Sequence, residues 1–526
     1  MNKPTAAAKA ETKERNPVVR ENIEAFAIAI IMALILKFFC IEAFKIPTGS
    51  MQPTLIGADR RNLIDPNGSE IFDRILVNKF IYDLQAPSRW DIIVFQYPLE
   101  QTKNYIKRLI GLPSETIEIR DGDIFVDGHI ARKPAKVQEV LWRRVDAPHP
   151  RQPNEPPIFA KTSSWKVREG DGPTSPQSGQ LTLASASGEQ TMFFDEMIRD
   201  DYLHGYDPDY GIERQQRESG SFTVGDLKLV LTARLEKAQG GLSISILDRD
   251  DTYRAFLAAG PSPAQSYIEF EVPRVGEDQP NVTVEETASS VTAERQGNRV
   301  VLKGLSLEAG ADHRIAFSHA DDALELWIDD ALTCRIELDL PAPDEPRRTG
   351  FLKPGYVSRS GRSQGIPIFG ESGIEISVMD NGLVLSDGEL YRDVYYLRDS
   401  STLREDPGHF EVPEGHYFAM GDNTQNSKDG RRWETVTLIL KDGTRIRGDY
   451  IPRNEETPPS EWNPMPIGAQ QRIIDVFGES HLVDNDQIVG EPVIETAAYI
   501  PERFLLGQAF FVFWPLLSPF RMRFLN

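Results

Sequence analysis

The stretch TIEIRDGDIFVDG, residues 116–128, indicates what kind of fold the chain adopts. Apolar and polar residues alternate over 116–119, which is the period of a half-buried β-strand. Asp-Gly pairs at 121–122 and 127–128 are turn signals on both sides of the short apolar run 124–126. Because a parallel βαβ unit needs a dozen or more connecting residues, such closely spaced runs predict antiparallel β-structure.

Short β-type runs of the same kind occur elsewhere in the chain. Residues 74–77 and 91–95 precede this stretch, so residues 45–135 are predicted to form an all-β unit. Prolines crowd the following segment, 146–180, which is typical of a linker or an irregular insertion. A second group of alternating runs predicts another β domain, a sandwich, over about 222–340; its runs are 227–235, 242–247, 300–305, 313–317 and 324–328.

The totals of the chain exclude several classes of protein. A chain of 526 residues is too long for one ordinary core and predicts two or three folded units. The formal net charge of -22 would repel a phosphate backbone, so we expect no nucleic-acid partner. With only two cysteines, Cys40 and Cys334, and no ligand spacing among the 8 histidines, the sequence predicts no disulfide framework, no metal and no other cofactor.

A long apolar run near the N-terminus predicts a membrane anchor. Every residue over 25–36 is apolar, and the run 23–44 contains 22 residues. As a helix it would be about 33 Å long, enough to cross a hydrocarbon core of about 30 Å. A cleaved signal peptide is disfavoured because Ile41 stands two positions before the candidate cleavage residue Ala43, and a buried soluble helix is a further alternative. Basic residues precede the run and predict that the chain after it lies outside the cytoplasm; they are Lys3, Lys9, Lys13, Arg15 and Arg20.

A candidate nucleophile and a candidate base follow the apolar run. Ser50 lies in the stretch IPTGSMQPTL, residues 46–55, and a serine hydroxyl becomes a nucleophile only beside a base. No histidine stands in a convincing partner motif, whereas strand alternation would place Tyr105, Lys107 and Leu109 on one buried face. Burial that lowers a lysine pKa by about 3 units, at a cost of roughly 4 kcal/mol, would make Lys107 a base at neutral pH. The alternative is an ordinary basic pair, Lys107 and Arg108, on a strand edge.

Four stretches in a fixed order resemble a known family. They are SMQPT at 50–54, RWDIIVF at 89–95, YIKR at 105–108 and GDNTQNSKD at 421–429. Together they resemble the successive motifs of bacterial type I signal peptidases. The resemblance implies a Ser/Lys dyad on a mostly β catalytic fold, which removes signal peptides from exported preproteins after a small-x-small sequence.

The resemblance also implies a role for each matching residue. Ser50 matches the nucleophile and Lys107 the general base. Thr48 matches a hydroxyl that forms the oxyanion hole with the Ser50 N–H, and Ser427 matches a serine that orients the lysine amine. A supporting ion pair and a substrate groove are implied as well; the pair is Asp429 and Arg431, and the groove residues are Ile46, Pro47, Tyr105 and Ile106.

The sequence departs from the family pattern at three positions. Thr424 and Gln425 stand where Arg-Asp is usual, and Gly430 stands where serine is usual. These departures put the outer support of the dyad in doubt, while they leave Ser50, Lys107 and Ser427 in place.

The predicted organisation combines the anchor, a divided catalytic domain and two insertions. In chain order it comprises a cytoplasmic basic tail (1–21), a transmembrane anchor (22–44), the first part of the catalytic domain (45–145), an insertion (146–395) that contains the sandwich, and the second part of the catalytic domain (396–526) with a secondary insertion at about 435–484. The run 504–515 is predicted to be a buried strand rather than a second span. The expected location is the bacterial inner membrane, with a single span and the catalytic domain outside the cytoplasm.

The long middle of the chain lies outside the signal peptidase resemblance. Residues 222–340, with LELWIDD at 324–330, resemble concanavalin-like jelly-roll domains, which does not establish sugar binding. We therefore expect signal peptides and the lipid bilayer as partners, together with an unidentified ligand of the inserted domain. An alternative function is a membrane-tethered binding or scaffold protein that keeps a degenerate peptidase frame and acts through its insertion. An autoproteolytic Ser/Lys repressor would need a DNA-binding domain and a soluble chain, which the sequence does not indicate.

Overall fold

The structure is a computed structural model, and it describes most of the chain. The described residues are 17–35, 40–57, 72–146, 159, 164–168, 181–185, 188–200, 202–204, 216–218, 222–260, 265–273, 280–286, 288–340, 372–398, 408–451, 462–514 and 522–525. The basic tail before residue 17 lies outside this set, as do the proline-rich residues 147–158.

The described residues form three α-helices, four 3-10 helices and 36 β-strands. The α-helices are α1 Pro17–Ile35, α2 Ile81–Leu84 and α3 Ala135–Leu141, and the 3-10 helices are Gly49–Met51, Thr424–Asn426, Asn485–Gln487 and Glu502–Phe504. The first strands are β1 Ile41–Lys45, β2 Arg74–Asn78, β3 Ile92–Gln96, β4 Asn104–Gly111, β5 Thr116–Arg120, β6 Asp123–Val126 and β7 His129–Ile130. The middle of the chain contains β8 Arg143–Asp146, β9 Trp165–Val167, β10 Leu181–Ala184, β11 Glu189–Phe194, β12 Tyr202–His204, β13 Gln216–Glu218, β14 Leu227–Leu235, β15 Gly241–Asp248, β16 Asp251–Ala258, β17 Ser266–Glu271, β18 Asn281–Glu286, β19 Thr292–Gln296, β20 Arg299–Lys303, β21 His313–Ala320, β22 Ala323–Ile328, β23 Ala331–Asp339, β24 Ser372–Met379 and β25 Gly382–Arg392. The last strands are β26 His409–Glu411, β27 His416–Met420, β28 Glu434–Ile439, β29 Arg445–Asp449, β30 Met465–Ile467, β31 Gln470–Ile474, β32 Ser480–Asp484, β33 Val493–Thr496, β34 Ile500–Pro501, β35 Leu505–Trp514 and β36 Arg523–Phe524.

One sheet joins the two ends of the chain. Its strand order is β1-β2-β35-β3-β4-β27-β34, with β36 paired to β35. Strands from before and after the long middle therefore alternate in a single sheet, which we call the main sheet. β35 pairs antiparallel with both β2 and β3, and this confirms the predicted buried strand near the C-terminus. The hairpin predicted at 116–128 is also confirmed, because β5 and β6 pair antiparallel within a smaller four-stranded sheet with β26 and β7.

The middle of the chain forms two eight-stranded sheets, which we call the inserted unit. The first sheet has the order β10-β25-β14-β21-β22-β23-β18 with β8 on β25, and the second has the order β19-β20-β17-β16-β15-β24-β11-β9. Buried residues of both sheets, such as Leu229 and Ile244, belong to one hydrophobic core. The sheets extend well beyond the predicted limits 222–340. β24 and β25 pair with the central strands β15 and β14, and β8 to β11 continue the sheets beyond β24 and β25.

The predicted secondary insertion at 435–484 forms two three-stranded sheets, β29-β28-β33 and β30-β31-β32. They share a small core that includes Val436, Leu438 and Ile473. Because β33 pairs with β28, this insertion continues to Thr496. The mostly β character predicted from the sequence is thus confirmed for the described residues after α1.

The N-terminal helix differs from the predicted span 22–44. α1 ends at Ile35, and residues 41–45 form β1, which pairs antiparallel with β2. Sheet pairing satisfies the backbone of this segment, and the polar residues Glu42 and Lys45 interrupt its apolar character, so the predicted helix is wrong at its C-terminal end. Within the described ranges, no helix has the combination of length and apolar composition that crossing a bilayer requires.

Candidate active site

Ser50 lies in the 3-10 turn that follows β1, near the edge of the main sheet. Its side chain is buried, with 7% of the residue exposed. Two hydrogen bonds from Asn423 hold the turn: the backbone N–H donates to the Ser50 carbonyl at 3.1 Å, and Nδ2 donates to the Gly49 carbonyl at 3.1 Å. The second part of the chain therefore fixes the backbone on which Ser50 is carried.

Lys107 lies on β4 and reaches the Ser50 side chain. Nζ and Oγ are 2.6 Å apart, although the two residues are 57 positions apart in sequence. In the register of β4 against β3, Lys107 lies opposite Ile93, and only 3% of Lys107 is exposed. This burial lowers the pKa of the Lys107 amine to about 8, against the opposing influence of Asp429 and Asp422. The site thus combines a hydroxyl with an amine that loses its proton far more easily than an exposed lysine.

Thr48 and Ser427 lie near this pair. Thr48 directly precedes the 3-10 turn in extended backbone and is exposed. Ser427 is buried, and its hydroxyl has no hydrogen-bond partner of ordinary geometry among the described residues. A Cβ placed on Gly421 would lie 2.3 Å from Ser427 Oγ and 2.4 Å from the Ser50 carbonyl oxygen. Ser427 is therefore close to the Ser50 backbone, while its predicted hydrogen bond to the Lys107 amine stays a prediction.

Asp429 and Arg431 form a fully buried ion pair. Arg431 Nε donates to Asp429 Oδ1 and Nη2 donates to Oδ2, both at 2.8 Å. The guanidinium also donates to the carbonyls of Leu397 and Thr424, while Asp429 accepts the N–H of Gly421. Although burial opposes the charge, Arg431 and these hydrogen bonds keep the pKa of Asp429 below its usual value. The pair links the segments that surround the amine.

A second buried ion pair was not assigned a role from the sequence. Arg108 Nε and Nη2 each donate to one oxygen of Asp422 at 2.7 Å, and the side chains are 2% and 0% exposed. Thr54 donates its hydroxyl to the same carboxylate at 2.5 Å. Three of the four motifs that carried the family resemblance therefore meet here. The only sequence signal for this ion pair was the presence of opposite charges in two of those motifs. Because Arg108 and Asp422 are 314 residues apart, no local pattern indicates that they are in contact.

The departures from the family pattern face the inserted unit and the neighbouring strands. Thr424 donates its hydroxyl to the Tyr395 carbonyl at 2.8 Å, and Gln425 Nε2 donates to Asp200 Oδ2 at 2.6 Å. A Cβ on Gly430 would lie 2.5 Å from the Ala498 carbonyl oxygen, so a serine does not fit at this position. The altered residues thus make contacts of their own in this chain.

Arg143 connects the inserted unit to the site. It lies on β8, which pairs with β25, and its Nη2 donates to the carbonyls of Gln52 at 2.5 Å and of Asp422 at 2.8 Å. Burial and the nearby Arg392 lower the pKa of Arg143 to about 9. This contact was not predicted from the sequence, because β8 is a short strand in a segment without clear alternation.

The predicted groove residues have different environments. Ile46 is 2% exposed and packs in a core with Met51 and Leu55, whereas Pro47 is exposed. Tyr105 and Ile106 are half-buried on β4, and the Tyr105 ring stacks on Tyr97 with centroids 4.2 Å apart.

Part of β4 is paired with another strand on one side only. Along residues 104–107, β4 pairs with β3, while pairing with β27 begins only at Arg108. This half of the strand therefore has one side without a paired strand in the described structure.

Among the residues that the structure describes, three groups have the composition of metal ligands. They are Asp226, Asp248 and His319; Asp123, Asp226 and Asp321; and Asp475, Glu479 and His481. None of these groups includes Ser50 or Lys107.

Two separate segments of the chain match a peptidase family. The pattern of the family described as signal peptidase, peptidase S26 matches residues 19–170 and 369–444, which contain Ser50, Lys107 and Ser427. Over these segments the chain is similar to the S26 peptidases. The individual relatives that it resembles are signal peptidases. Residues 171–368, which include most of the inserted unit, lie outside the match.

Individual relatives of the chain are named signal peptidase I. Signal peptidase I of Pseudomonas aeruginosa is 34% identical over 143 residues, which are 25% of this chain and 45% of the relative. Signal peptidase I of Leptolyngbya laminosa is 34% identical over 133 residues, 24% of this chain and 58% of the relative. A probable signal peptidase I-1 of Synechocystis is 38% identical over 117 residues, 21% and 53% respectively. The chain thus spans about half the length of these relatives.

The solved structures that are similar to the chain have low TM-scores. A carbohydrate-binding module, CBM66, from Bacillus subtilis is 10% identical and has a TM-score of 0.20, with 43% of this chain and 95% of the module covered. A laminarinase from Flavobacterium is 9% identical with a TM-score of 0.25, covering 48% and 100%. These likenesses are too slight to support any assignment for the inserted unit.

Proposed function

We propose that this chain is a serine endopeptidase that removes N-terminal signal peptides from exported preproteins, with Ser50 as nucleophile and Lys107 as general base. The observation that supports this most strongly is the distance of 2.6 Å between Lys107 Nζ and Ser50 Oγ in a buried setting. Similarity to the S26 family over the two segments that carry these residues supports the same reaction.

The proposed reaction uses the proton of the Ser50 hydroxyl. In its neutral form the Lys107 amine accepts that proton while Oγ attacks the carbonyl carbon of the scissile peptide bond. The negative charge that develops on the carbonyl oxygen is stabilised by the Ser50 N–H and the Thr48 hydroxyl. The Lys107 ammonium then gives its proton to the departing amine, and water attacks the acyl-enzyme with Lys107 again as base.

The proposed substrate is an extended peptide that binds beside β4. The side of β4 without a paired strand at residues 104–107 offers backbone N–H and C=O groups to such a peptide. Pro47, Tyr105 and Ile106 would line the pockets for its side chains, and shallow apolar pockets accept only small ones. Ile46, which is buried, would support this surface from beneath. Cleavage after a small-x-small sequence follows from this steric selection.

The proposal includes attachment to a lipid bilayer through the N-terminal segment. Large apolar side chains on α1 are exposed, including Phe26 at 69%, Ile28 at 62% and Met32 at 55%. Exposed apolar surface of this kind is costly in water and is buried when the helix enters lipid. We propose a single membrane-embedded segment in the bacterial inner membrane, with the catalytic domain outside the cytoplasm.

Cleavage of a purified preprotein by the detergent-solubilised chain tests this proposal. We expect release of the mature protein after a small-x-small site, and loss of release in Ser50→Ala and in Lys107→Ala. Lys103→Ala is the matched control, because this lysine is on the exposed side of the turn before β4, with 58% of its side chain exposed. Full cleavage by either dyad variant would exclude the mechanism.

The alternative of a tethered scaffold with a degenerate frame is not favoured. A degenerate peptidase would be expected to lose its nucleophile, its base or their contact, whereas Ser50 and Lys107 are both present and hydrogen-bonded.

A further inference from the structure

A small polar cavity lies where the inserted unit meets the β5–β6 turn. Its volume is about 20 Å³, enough for one water molecule or one ion. Side chains from both parts of the chain line it: Asp121 and Asp123 from the turn, and Asp226, Asp248, His319 and Asp322 from the inserted unit. The cavity is separate from the Ser50–Lys107 site, because none of the described hydrogen bonds joins these residues to Ser50 or Lys107.

The donor atoms around the cavity are spaced as ligands of one ion. One oxygen each of Asp226 and Asp248 and one ring nitrogen of His319 lie within 4.8 Å of one another. Oxygens of Asp123, Asp226 and Asp321 satisfy the same limit, so Asp226 belongs to both groups. Ligand atoms about 2.0 to 2.6 Å from a cation are separated by at most about 5 Å across it.

His319 provides an observation that the carboxylates alone do not. The residue is only 2% exposed, and its Nε2 has no hydrogen-bond partner in the described part of the chain. Nδ1 lies 3.2 Å from Asp226 Oδ1, and the ring stacks on Tyr253 with centroids 4.0 Å apart. A buried ring nitrogen without a partner is costly, and a cation in the cavity that it lines would satisfy it.

The local charge also favours a cation. Lys133 is already engaged with Asp321 and Asp393, and Arg249 with Asp121 at 2.5 Å. The cavity is also lined by the carboxylates of Asp123, Asp226 and Asp248, so several acidic groups face one small space.

We propose that this cavity binds one divalent cation through Asp226, Asp248 and His319, with Asp123 of the β5–β6 turn nearby. The three ligands all come from the inserted unit, from β15, β21 and the segment before β14, and Asp123 at the start of β6 lines the same cavity from the catalytic part of the chain. Mixed carboxylate and imidazole donors suit Mn²⁺ or Zn²⁺, whereas Ca²⁺ and Mg²⁺ prefer oxygen ligands alone. The site is independent of the proposed peptidase reaction.

Metal binding by the purified full chain in detergent tests the proposal. After treatment with EDTA and dialysis, the protein is titrated separately with Mn²⁺, Zn²⁺, Ca²⁺ and Mg²⁺, and bound metal is measured by mass spectrometry. We expect one equivalent of Mn²⁺ or Zn²⁺ per chain, and a rise of about 5 to 10 °C in Tm when the metal is at a hundred times its Kd. Cleavage activity is not part of the readout, so failure here is distinguishable from failure of the proposed function.

Two variants locate the site. Asp248→Asn and His319→Gln should each lower the affinity at least tenfold and remove most of the Tm shift. Asp475→Asn is the matched control, since Asp475, Glu479 and His481 form a group of the same composition in the secondary insertion. If Asp248→Asn fails to fold, the number of metal ions bound per unaltered chain still tests whether a cation is bound. The proposal would be overturned if no metal were bound at millimolar concentration, or if only Asp475→Asn abolished binding. His319 and Asp226 would then form an ion pair that needs no cation.

Discussion

The contact between Lys107 and Ser50 determines the pH range in which the proposed reaction runs. The amine must be neutral to accept the hydroxyl proton, and burial lowers its pKa to about 8. At pH 6 about 1% of such an amine is neutral, and at pH 9 about 90% is. The same lysine in water would reach these fractions only at much higher pH.

We therefore expect kcat/KM for preprotein cleavage to rise with pH. The increase should be about tenfold per pH unit below pH 7 and should level off above about pH 9, because the neutral fraction of Lys107 follows this curve. A pH profile of the detergent-solubilised enzyme with one preprotein checks this. A flat profile between pH 6 and pH 9 would show that no such amine is titrated.

Replacing Lys107 with methionine should increase stability while it abolishes cleavage. Because burial lowers the pKa from 10.5 to about 8, the folded chain binds this proton less tightly than the unfolded chain does. The buried ammonium therefore lowers the free energy of unfolding by about 3 kcal/mol below pH 8. This destabilisation disappears as the pH rises to 10.5, the pKa of the lysine in the unfolded chain. Lys107→Met should thus raise the free energy of unfolding by about 3 kcal/mol at pH 6, and by little at pH 10. Denaturant unfolding at both pH values measures the difference, and exposed Lys103→Met should change neither value.

Gly421 is expected to be essential because of the space that it leaves. A Cβ at this position would lie 2.3 Å from Ser427 Oγ and 2.4 Å from the Ser50 carbonyl oxygen. Gly421→Ala should therefore shift the nucleophile and lower kcat by about a hundredfold. The control is Gly373→Ala, whose added carbon would meet its nearest neighbour at 3.7 Å. Equal kcat values for both variants would contradict this reason.

The contact between Ser50 and Lys107 could be expected from the sequence, but its surroundings could not. Serine, lysine and their motifs are local patterns, and the expected burial of Lys107 follows from strand alternation. The pairing of Arg108 with Asp422 depends instead on two strands that the chain brings together across 314 residues. The same is true of Gln425 and Asp200, which are 225 residues apart. Alternation and composition carry no information on such partners.

At the scale of elements, β8 is the strand through which the inserted unit reaches the site. Arg143 on this strand donates to the carbonyls of both Gln52 and Asp422, and thereby connects the nucleophile loop to the segment that follows β27. Its neighbour Arg144 is exposed on the same strand. Replacing each arginine in turn therefore distinguishes the loss of a positive charge on β8 from the loss of the contact with Gln52 and Asp422.

Arg143→Met should lower kcat at least tenfold, whereas Arg144→Met should leave it within about twofold. The loss is expected because two buried carbonyls lose their donor and the nucleophile loop becomes less ordered. Cleavage rates of the two variants at saturating preprotein provide the measurement. If both variants keep the full rate, β8 does not position the loop.

Alternating runs predicted the central strands of the inserted unit but not its full extent. Long runs such as 227–235 became β14, since a half-buried strand must alternate. Short strands such as β9 and β10 fall in segments rich in proline and glycine, where the pattern is too brief to stand out. β24 and β25 belong to the sheets because they pair with β15 and β14, about 130 to 160 residues earlier in the chain. At the N-terminus, apolar composition predicted a helix through residue 44, but pairing with β2 makes 41–45 a strand.

At the scale of the whole molecule, the chain enters and leaves the inserted unit side by side. Asp146 of β8 pairs with Leu390 of β25, and Arg143 pairs with Arg392. A two-residue Asn-Gly turn in place of residues 147–389 would therefore join two antiparallel neighbours. Such a deletion retains Arg143, and it keeps Asp393 as a partner of Lys133 while Asp321 is lost.

This deletion variant should still cleave a preprotein, at a rate reduced by no more than about a hundredfold. The main sheet and the Ser/Lys pair remain complete, but Gln425 loses Asp200 and the outer support is weakened. Cleavage by the variant is compared with the same deletion combined with Ser50→Ala. A folded variant without any cleavage would show that the inserted unit takes part in the reaction itself.

The interleaving of early and late strands in the main sheet has a consequence during synthesis. Arg108 leaves the ribosome 314 residues before its partner Asp422, which is about 15 to 60 s at ordinary translation rates. Until then β27, which pairs with β4 from Arg108 onward, is missing, so the buried surroundings that lower the pKa of Lys107 are incomplete. Under the proposed function, the nascent chain therefore gains peptidase activity only in the last fifth of translation.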